Sequence, residues 1–293
     1  METRQISGED ISACQAIFNA SYFELHQRYG MEDVDREETS WLTPILTHFL
    51  RTDPAGARLA VDGETPVAFA STIRRDNYWF LSFLFVVPDH QGQGVGRQLL
   101  AELLPEDARD VTQATVVESF QPVSIGLYAS VGITPRTIKY WLSGLNRPTA
   151  LPQLPADLQR TEMSDDLDDV DELDRVMLGF TRTADHRWWA EAGARRWAYR
   201  RGDDLVAYAY VDDGYLGPVL ATDEETLCLV VADLVGTSPE PSSMAINVCG
   251  NAGTVFRTLV NAGARIDTGS KYRFVYFSSS DALPPSYIHH SDW

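Results

Sequence analysis

Apolar positions recur along the chain at two spacings, three-to-four and two, and the alternation of the two predicts helices and strands in a repeated order. Ile11, Cys14, Ile17, Phe18 and Tyr22 follow the polar Gly8-Glu9-Asp10 at helical spacing and predict a first helix. A second is expected over Arg36 to Leu50. Strands follow: Arg58 to Asp62, a turn at Asp62-Gly63, and Pro66 to Arg74 as the hairpin partner. Tyr78 to Val87 is long, apolar and aromatic, as expected of a central strand covered on both faces. Val95, Leu99, Leu100, Leu103 and Leu104 share one face of a helix over Gly94 to Leu104. A strand over Val111 to Glu118, a short helix over Ser124 to Val131 and a strand over Thr137 to Leu145 complete this half.

The second half repeats the order more weakly. Asp165 to Met177 reads as a helix, with Leu167, Val170, Leu173 and Met177 on one stripe. Arg196 to Arg200, Leu205 to Val211 and Tyr215 to Ala221 read as strands, and Glu224 to Val235 as a helix. A strand over Met244 to Cys249, a helix over Gly253 to Val260 and a strand over Tyr272 to Phe277 follow. Pro148, Pro152 and Pro155 stiffen the stretch between the halves. The expected organisation is therefore a domain over residues 1–146, a proline-rich linker over 147–156 and a second domain over 157–293. The fold class is α/β (α+β), each domain a central mixed sheet flanked by helices.

Composition narrows the function. Apolar residues make up 44% of the 293 and charged residues 23%, ordinary for a globular chain. No segment approaches the roughly 18 uninterrupted apolar residues of a membrane helix. The start, Met1-Glu2-Thr3-Arg4, shows no secretory pattern, so cytoplasm is the expected compartment. With 24 basic against 42 acidic residues the net charge is −18, which disfavours nucleic acid and anionic membranes as partners. A cationic small molecule such as an amine suits that field. Cys14, Cys228 and Cys249 form no paired motif, so neither a disulfide framework nor a metal site is expected. Seven of the ten residues from Asp165 to Asp174 are acidic, but spread around a helix they read as a solvated face. The tryptophans of Arg187-Trp188-Trp189 and Arg195-Arg196-Trp197 are expected to pack between the halves.

The chemistry concentrates after the aromatic strand, in Phe-Val-Val-Pro-Asp-His-Gln-Gly-Gln-Gly-Val-Gly-Arg from Phe85 to Arg97. A strand, a loop with three glycines and a helix start make a cradle in which backbone amides and the helix dipole bind phosphate without lysine. The nucleotide phosphate loop with its Lys-Ser/Thr is absent, and the glycines at 92, 94 and 96 do not meet the dinucleotide fingerprint. Gln91-Gly92-Gln93-Gly94-Val95-Gly96 does meet Gln/Arg-x-x-Gly-x-Gly/Ala. With Leu127-Tyr128-Ala129-Ser130-Val131-Gly132-Ile133 downstream, the sequence resembles the GNAT superfamily of acyl-CoA-dependent N-acetyltransferases.

That resemblance implies roles at these positions. Backbone groups of Phe85, Val86 and Val87 would pair with the pantetheine arm of acetyl-CoA, and the Val86 or Val87 amide would hold the thioester oxygen. Amides of Gln91, Gly92, Gln93, Gly94, Val95, Gly96 and Arg97 would hold the pyrophosphate. Gln121 stands where the family usually has asparagine. Tyr128 would give a proton to the departing thiolate, and Glu118 is the first candidate for the base that frees the amine. Glu24 and His26 are candidates for the acceptor side. In the second half Leu259 replaces the tyrosine, and Thr222-Asp223-Glu224-Glu225 replaces the glycine loop. The resemblance thus implies a tandem GNAT arrangement with a degenerate second copy that binds no cofactor. The expected activity is direct acetyl transfer from acetyl-CoA to a small-molecule amine, by a monomer or homodimer. A non-catalytic acyl-CoA sensor or assembly module, or transfer of another acyl group, stands as the alternative.

Overall fold

The computed structural model describes residues 1–30, 40–266, 274–280 and 284–288. The chain divides into two compact units, one of residues 1–135 with 277–280, the other of 136–276 with 281–293.

The first unit opens with β1 (Glu2–Gln5), α1 (Ile11–Arg28), α2 (Leu42–Thr52) and β2 (Ala57–Asp62). It continues with β3 (Thr65–Arg75), β4 (Tyr78–Val86), α3 (Val95–Leu103), β5 (Thr112–Glu118) and α4 (Pro122–Ala129). Its strands run in the order β1-β2-β3-β4-β5, antiparallel up to β4 and parallel between β4 and β5. Helix α1 buries Cys14, Ile17, Phe18, Ser21, Leu25 and His26, an apolar stripe that carries a serine and, at its end, a histidine. Leu42, Ile45, Leu46 and Phe49 of α2 are buried at the same spacing, while the expected start of that helix at Arg36 lies outside the described residues. Phe69, Phe80, Leu99 and Leu100 are buried in the same unit.

The second unit takes most of β6 (Thr134–Ser143), then β7 (Leu158–Glu162), α5 (Asp168–Leu178), α6 (Thr183–Glu191), β8 (Arg195–Arg201) and β9 (Asp204–Asp212). There follow β10 (Tyr215–Ala221), α7 (Glu224–Gly236), β11 (Ala245–Cys249), α8 (Gly253–Asn261), β12 (Arg265–Ile266), β13 (Phe274–Ser278) and β14 (Tyr287–Ile288). Its strand order is β6-β11-β10-β9-β8-β7, with β12 against β6 and β14 against β10.

The boundary differs from the expected one. The units divide at Pro135, before the prolines of 147–156, because that segment joins β6 to β7 inside the second unit. Leu145 and Leu151 are buried in that unit's apolar core. Each unit also incorporates a strand from the other half of the chain. Strand β6 pairs antiparallel with β11, Ile246 facing Leu142 and Cys249 facing Lys139. Residues 277–280 return to the first unit, where the Ser279 N–H donates to the Gln113 carbonyl over 2.8 Å and the Gln113 N–H to Ser279 Oγ over 2.9 Å. The tryptophans also depart from expectation: Trp189 packs on His186 and Tyr210, and Trp197 lies under Arg160, all within the second unit.

Candidate functional site

The site begins with an irregularity in β4. Ser71 faces Phe83 and Thr72 faces Leu81, so Ser82 is an extra residue, a bulge that bends the strand. Pairing of β4 with β5 stops there, at Leu81 against Thr115. The ends of the two strands, Phe83–Val86 and the residues up to Glu118, are left unpaired with each other, which opens a notch between the two parallel strands of a mixed sheet.

The ladder to β3 decides which groups face that notch. The Val87 N–H donates to the Val67 carbonyl over 2.9 Å. In an antiparallel pair successive residues alternate sides, so Phe85 and Val87 turn toward β3, and Leu84 and Val86 toward the opposite edge. The Val87 amide is therefore engaged in the sheet, which narrows the expected choice to Val86. The Val86 carbonyl accepts from Ser21 Oγ over 2.8 Å and from Gln91 Nε2 over 3.0 Å. Neither donor was singled out from sequence for this contact. The signal for Ser21 was present: it is one of two polar residues, with His26, on the buried stripe of α1.

The glycine loop completes the edge. Gly94 caps α3 with φ +87°, a left-handed conformation that side-chain-bearing residues avoid, and no side chain closes the helix start. The first intrahelical bond runs from the Gln98 N–H to the Gly94 carbonyl over 3.0 Å. The amides of Val95, Gly96 and Arg97 precede it and lack intrahelical partners. A Cβ on Gly96 would lie 3.3 Å from Leu84 Cδ2, so glycine lets the helix start approach β4. Gln93 donates to the Asp89 carbonyl over 2.8 Å, and Gly92, Gln93, Gly94 and Arg97 are exposed. An open cradle of unsatisfied amides beside an unpaired strand edge fits a diphosphate followed by an amide-bearing arm.

Glu118 is the last residue of β5, three positions past Thr115, where pairing with β4 ends. It is 7% exposed. Its Oε1 lies 3.0 Å from His26 Nε2, joining two residues 92 positions apart that were expected separately. Glu118 Oε2 and His26 Nδ1 are both buried without a hydrogen-bond partner. The His26 ring packs tilted against Tyr22 at 4.0 Å and meets Phe120 edge-on at 5.8 Å. Glu24 is not part of this group: it pairs with Arg28 one turn along α1. Gln121 caps α4, its side-chain oxygen accepting from the Val123 N–H. Tyr128, on α4, is buried, and burial pushes its hydroxyl up to about 12 against a hydrogen bond from Ser124. Its ring meets Phe277 edge-on at 6.5 Å.

The three cysteines are buried, and burial pushes the Cys14 thiol up to about 12 and that of Cys249 to about 11. Among the described residues no group of His, Cys, Asp and Glu is arranged to hold a metal ion. The pair His289-His290 lies outside the described residues. No helix among the described residues is long and apolar enough to cross a membrane.

In the second unit the corresponding features are closed. Pairing of β10 with β11 covers only Tyr215–Ala245 and Leu216–Ile246, and the register to β9 shifts after Leu216. The chain's own β14 then fills the gap, with Ile288 facing Val219 and Tyr287 facing Leu220. The Ala221 N–H donates to the Ser286 carbonyl over 3.0 Å. At the start of α7, Asp223 accepts from the Thr226 N–H over 2.7 Å, so a side chain already occupies the helix start. Arg182 donates to the Tyr287 hydroxyl over 2.7 Å and to both carboxylate oxygens of Asp174 over 3.0 Å, all buried.

Residues 11–133 match the acetyltransferase (GNAT) family. A candidate acetyltransferase from Pyrococcus horikoshii superposes with a TM-score of 0.72 at 15% identity, over 99% of this chain and 95% of its own. A GCN5-related N-acetyltransferase from Sphaerobacter thermophilus gives 0.59 at 17% identity, over 100% and 98%. A tandem GNAT protein from the clavulanic acid biosynthesis pathway gives 0.58 at 16%, over 96% and 99%. A search of curated proteins finds no significant match. The fold and the glycine cradle thus place residues 11–133 in the GNAT class of acyltransferases. Residues 11–133 carry the acetyltransferase (GNAT) family match, and the whole chain shares its fold with tandem GNAT structures.

Proposed function

We propose that the first unit transfers the acetyl group of acetyl-CoA directly to a small-molecule amine, and that the second unit binds no cofactor. The observation that carries this reading is the unpaired edge of β4 running into the uncapped start of α3. Acetyl-CoA would supply an acetyl group activated as a thioester. The amides of residues 91–97 would hold its pyrophosphate, and the edge formed by Leu84 and Val86 would pair with its arm. The Val86 N–H would face the carbonyl oxygen on which negative charge develops.

Glu118 Oε2, buried and unpartnered, suits an ammonium, because a buried carboxylate oxygen is costly without a donor. It takes one proton from the acceptor nitrogen, whose lone pair then forms the new C–N bond. As the C–S bond breaks, Tyr128 donates its hydroxyl proton to sulfur. The nitrogen's second proton restores Tyr128, and the proton on Glu118 passes to water. In the second unit, Asp223 at the start of α7 and β14 in the notch oppose both parts of the cofactor.

Thermal unfolding with and without acetyl-CoA, wild type beside Gly94→Asp, tests the cofactor reading. At a hundred times its dissociation constant the ligand adds about 2.7 kcal/mol, and the shift is expected in wild type alone. Amine-dependent release of free CoA thiol is then expected from an acceptor panel. Binding without release by any amine would mark an acyl-CoA sensor instead.

A further inference from the structure

Among the buried polar atoms of the first unit that lack a hydrogen-bond partner, two belong to residues that are bonded to each other. Glu118 Oε1 meets His26 Nε2 at 3.0 Å, while Glu118 Oε2 and His26 Nδ1 stay idle. The two side chains are 8% and 1% exposed. Idle buried atoms occur elsewhere in the unit, as at Ser82 Oγ, but here an idle carboxylate oxygen belongs to a side chain whose other oxygen is already held. The pair lies past Thr115, the point where β5 ceases to pair with β4.

We infer that His26 is a positioning residue for the transfer reaction, holding Glu118 so that Oε2 alone faces the acceptor nitrogen. The inference rests on the reading of Glu118 as the base. A free carboxylate rotates about its terminal bond, and either oxygen then meets the acceptor. Donation from His26 Nε2 to Oε1 removes that freedom and leaves one oxygen for the acceptor. Because a carboxylate accepts, the imidazole carries its proton on Nε2. Tyr22, packed tilted against the imidazole at 4.0 Å, and Phe120 at 5.8 Å fix the ring itself. His26 touches no reacting atom in this arrangement; its effect on the rate passes through Glu118.

Imidazole nitrogen resonances of the full chain without ligands test the first step. His26 is expected to be protonated at Nε2 and bare at Nδ1, with its signals moving in Glu118→Gln. A proton on Nδ1 with a bare Nε2 overturns the inference. Kinetics test the second step. His26→Asn is expected to lower kcat about tenfold, with the acetyl-CoA dissociation constant measured by calorimetry unchanged. His26→Gln, which keeps a donor near the place of Nε2, is expected to recover most of the loss. In a Glu118→Gln background His26→Asn is expected to add no further loss, because the two act as one unit. Losses that multiply remove the role of His26 and leave Glu118 as the base. An unchanged kcat in Glu118→Gln removes the base reading itself, and the inference with it.

Discussion

Ser21 on α1 holds its hydroxyl 2.8 Å from the carbonyl of Val86 at the end of β4, its one proton shared with the Ile17 carbonyl at the same distance. The contact fixes the peptide that follows the one bearing the Val86 N–H, so it ties a helix to the edge on which the acyl group is proposed to sit. Gln91 holds the same carbonyl from the loop side over 3.0 Å. Ser21→Ala is expected to cost about 1 kcal/mol of stability, the worth of one buried hydrogen bond. Ser21→Ala with Gln91→Leu leaves the carbonyl without either donor and is expected to weaken acetyl-CoA binding further. Urea unfolding and calorimetric titration check the two effects.

Gly94→Ala separates backbone strain from charge. At φ +87° a Cβ costs roughly 1–2 kcal/mol, although no atom stands within 4 Å of it. Stability is expected to fall by that amount while acetyl-CoA affinity drops only modestly. Gly94→Asp adds a negative charge at the proposed pyrophosphate position and is expected to abolish binding. Chemical unfolding and cofactor titration of the two variants distinguish the causes.

Tyr128→Phe is expected to lower kcat at least tenfold with cofactor affinity nearly unchanged. Burial pushes the hydroxyl up to about 12, so Tyr128 stays protonated and able to donate across the physiological range. Its folded value lies above its ordinary value of 10.0, so its contribution to stability is whole below pH 10 and is lost as pH rises toward 12. Unfolding followed from pH 9 to 12 is expected to show a shallower alkaline decline in the phenylalanine variant.

Asp174 anchors the buried polar group of the second unit. Burial pushes its carboxyl up, but Arg182 and His186 outweigh that and hold it well below the usual carboxylate range. Its folded value is depressed, so its contribution is present above the ordinary value of 3.8 and is lost as pH falls below it. Asp174→Asn leaves Arg182 buried without a counter-charge and is expected to cost about 3–5 kcal/mol. Acid unfolding is expected to begin at a higher pH in the variant.

Much of this arrangement was legible in the sequence. Elements with a strong period, such as α1, β3, β4 and α7, fall within a few residues of their expected places. The glycine loop announced itself because its backbone needs are met by one residue type. Short or polar elements did not: β1, β7, α6 and β14 carry too few apolar positions to show a period. Glu118 and His26 were each visible as titratable residues, but a hydrogen bond across 92 positions has no local signature. The exchange of strands was invisible for a related reason. An edge strand looks the same in sequence whichever sheet it joins, so β6 and residues 277–280 read as closing their own halves.

That exchange makes the halves inseparable as polypeptides. A chain ending at residue 146 keeps β6 without β11, and β5 without residues 277–280. It is expected to be aggregated or unfolded by size-exclusion chromatography and circular dichroism, and co-expression of 147–293 is expected to rescue it in part.

The same feature sets an order of events at the ribosome. Domains usually close one after another as they emerge, at about 5–20 residues per second. Here the first unit contains residues 1–135 but is completed by 277–280, so its sheet waits for nearly all of the intervening chain. At that pace the wait is roughly 7–30 seconds. During it the outer edge of β5 stands open, and the nascent protein passes through its most association-prone state before its first unit is finished.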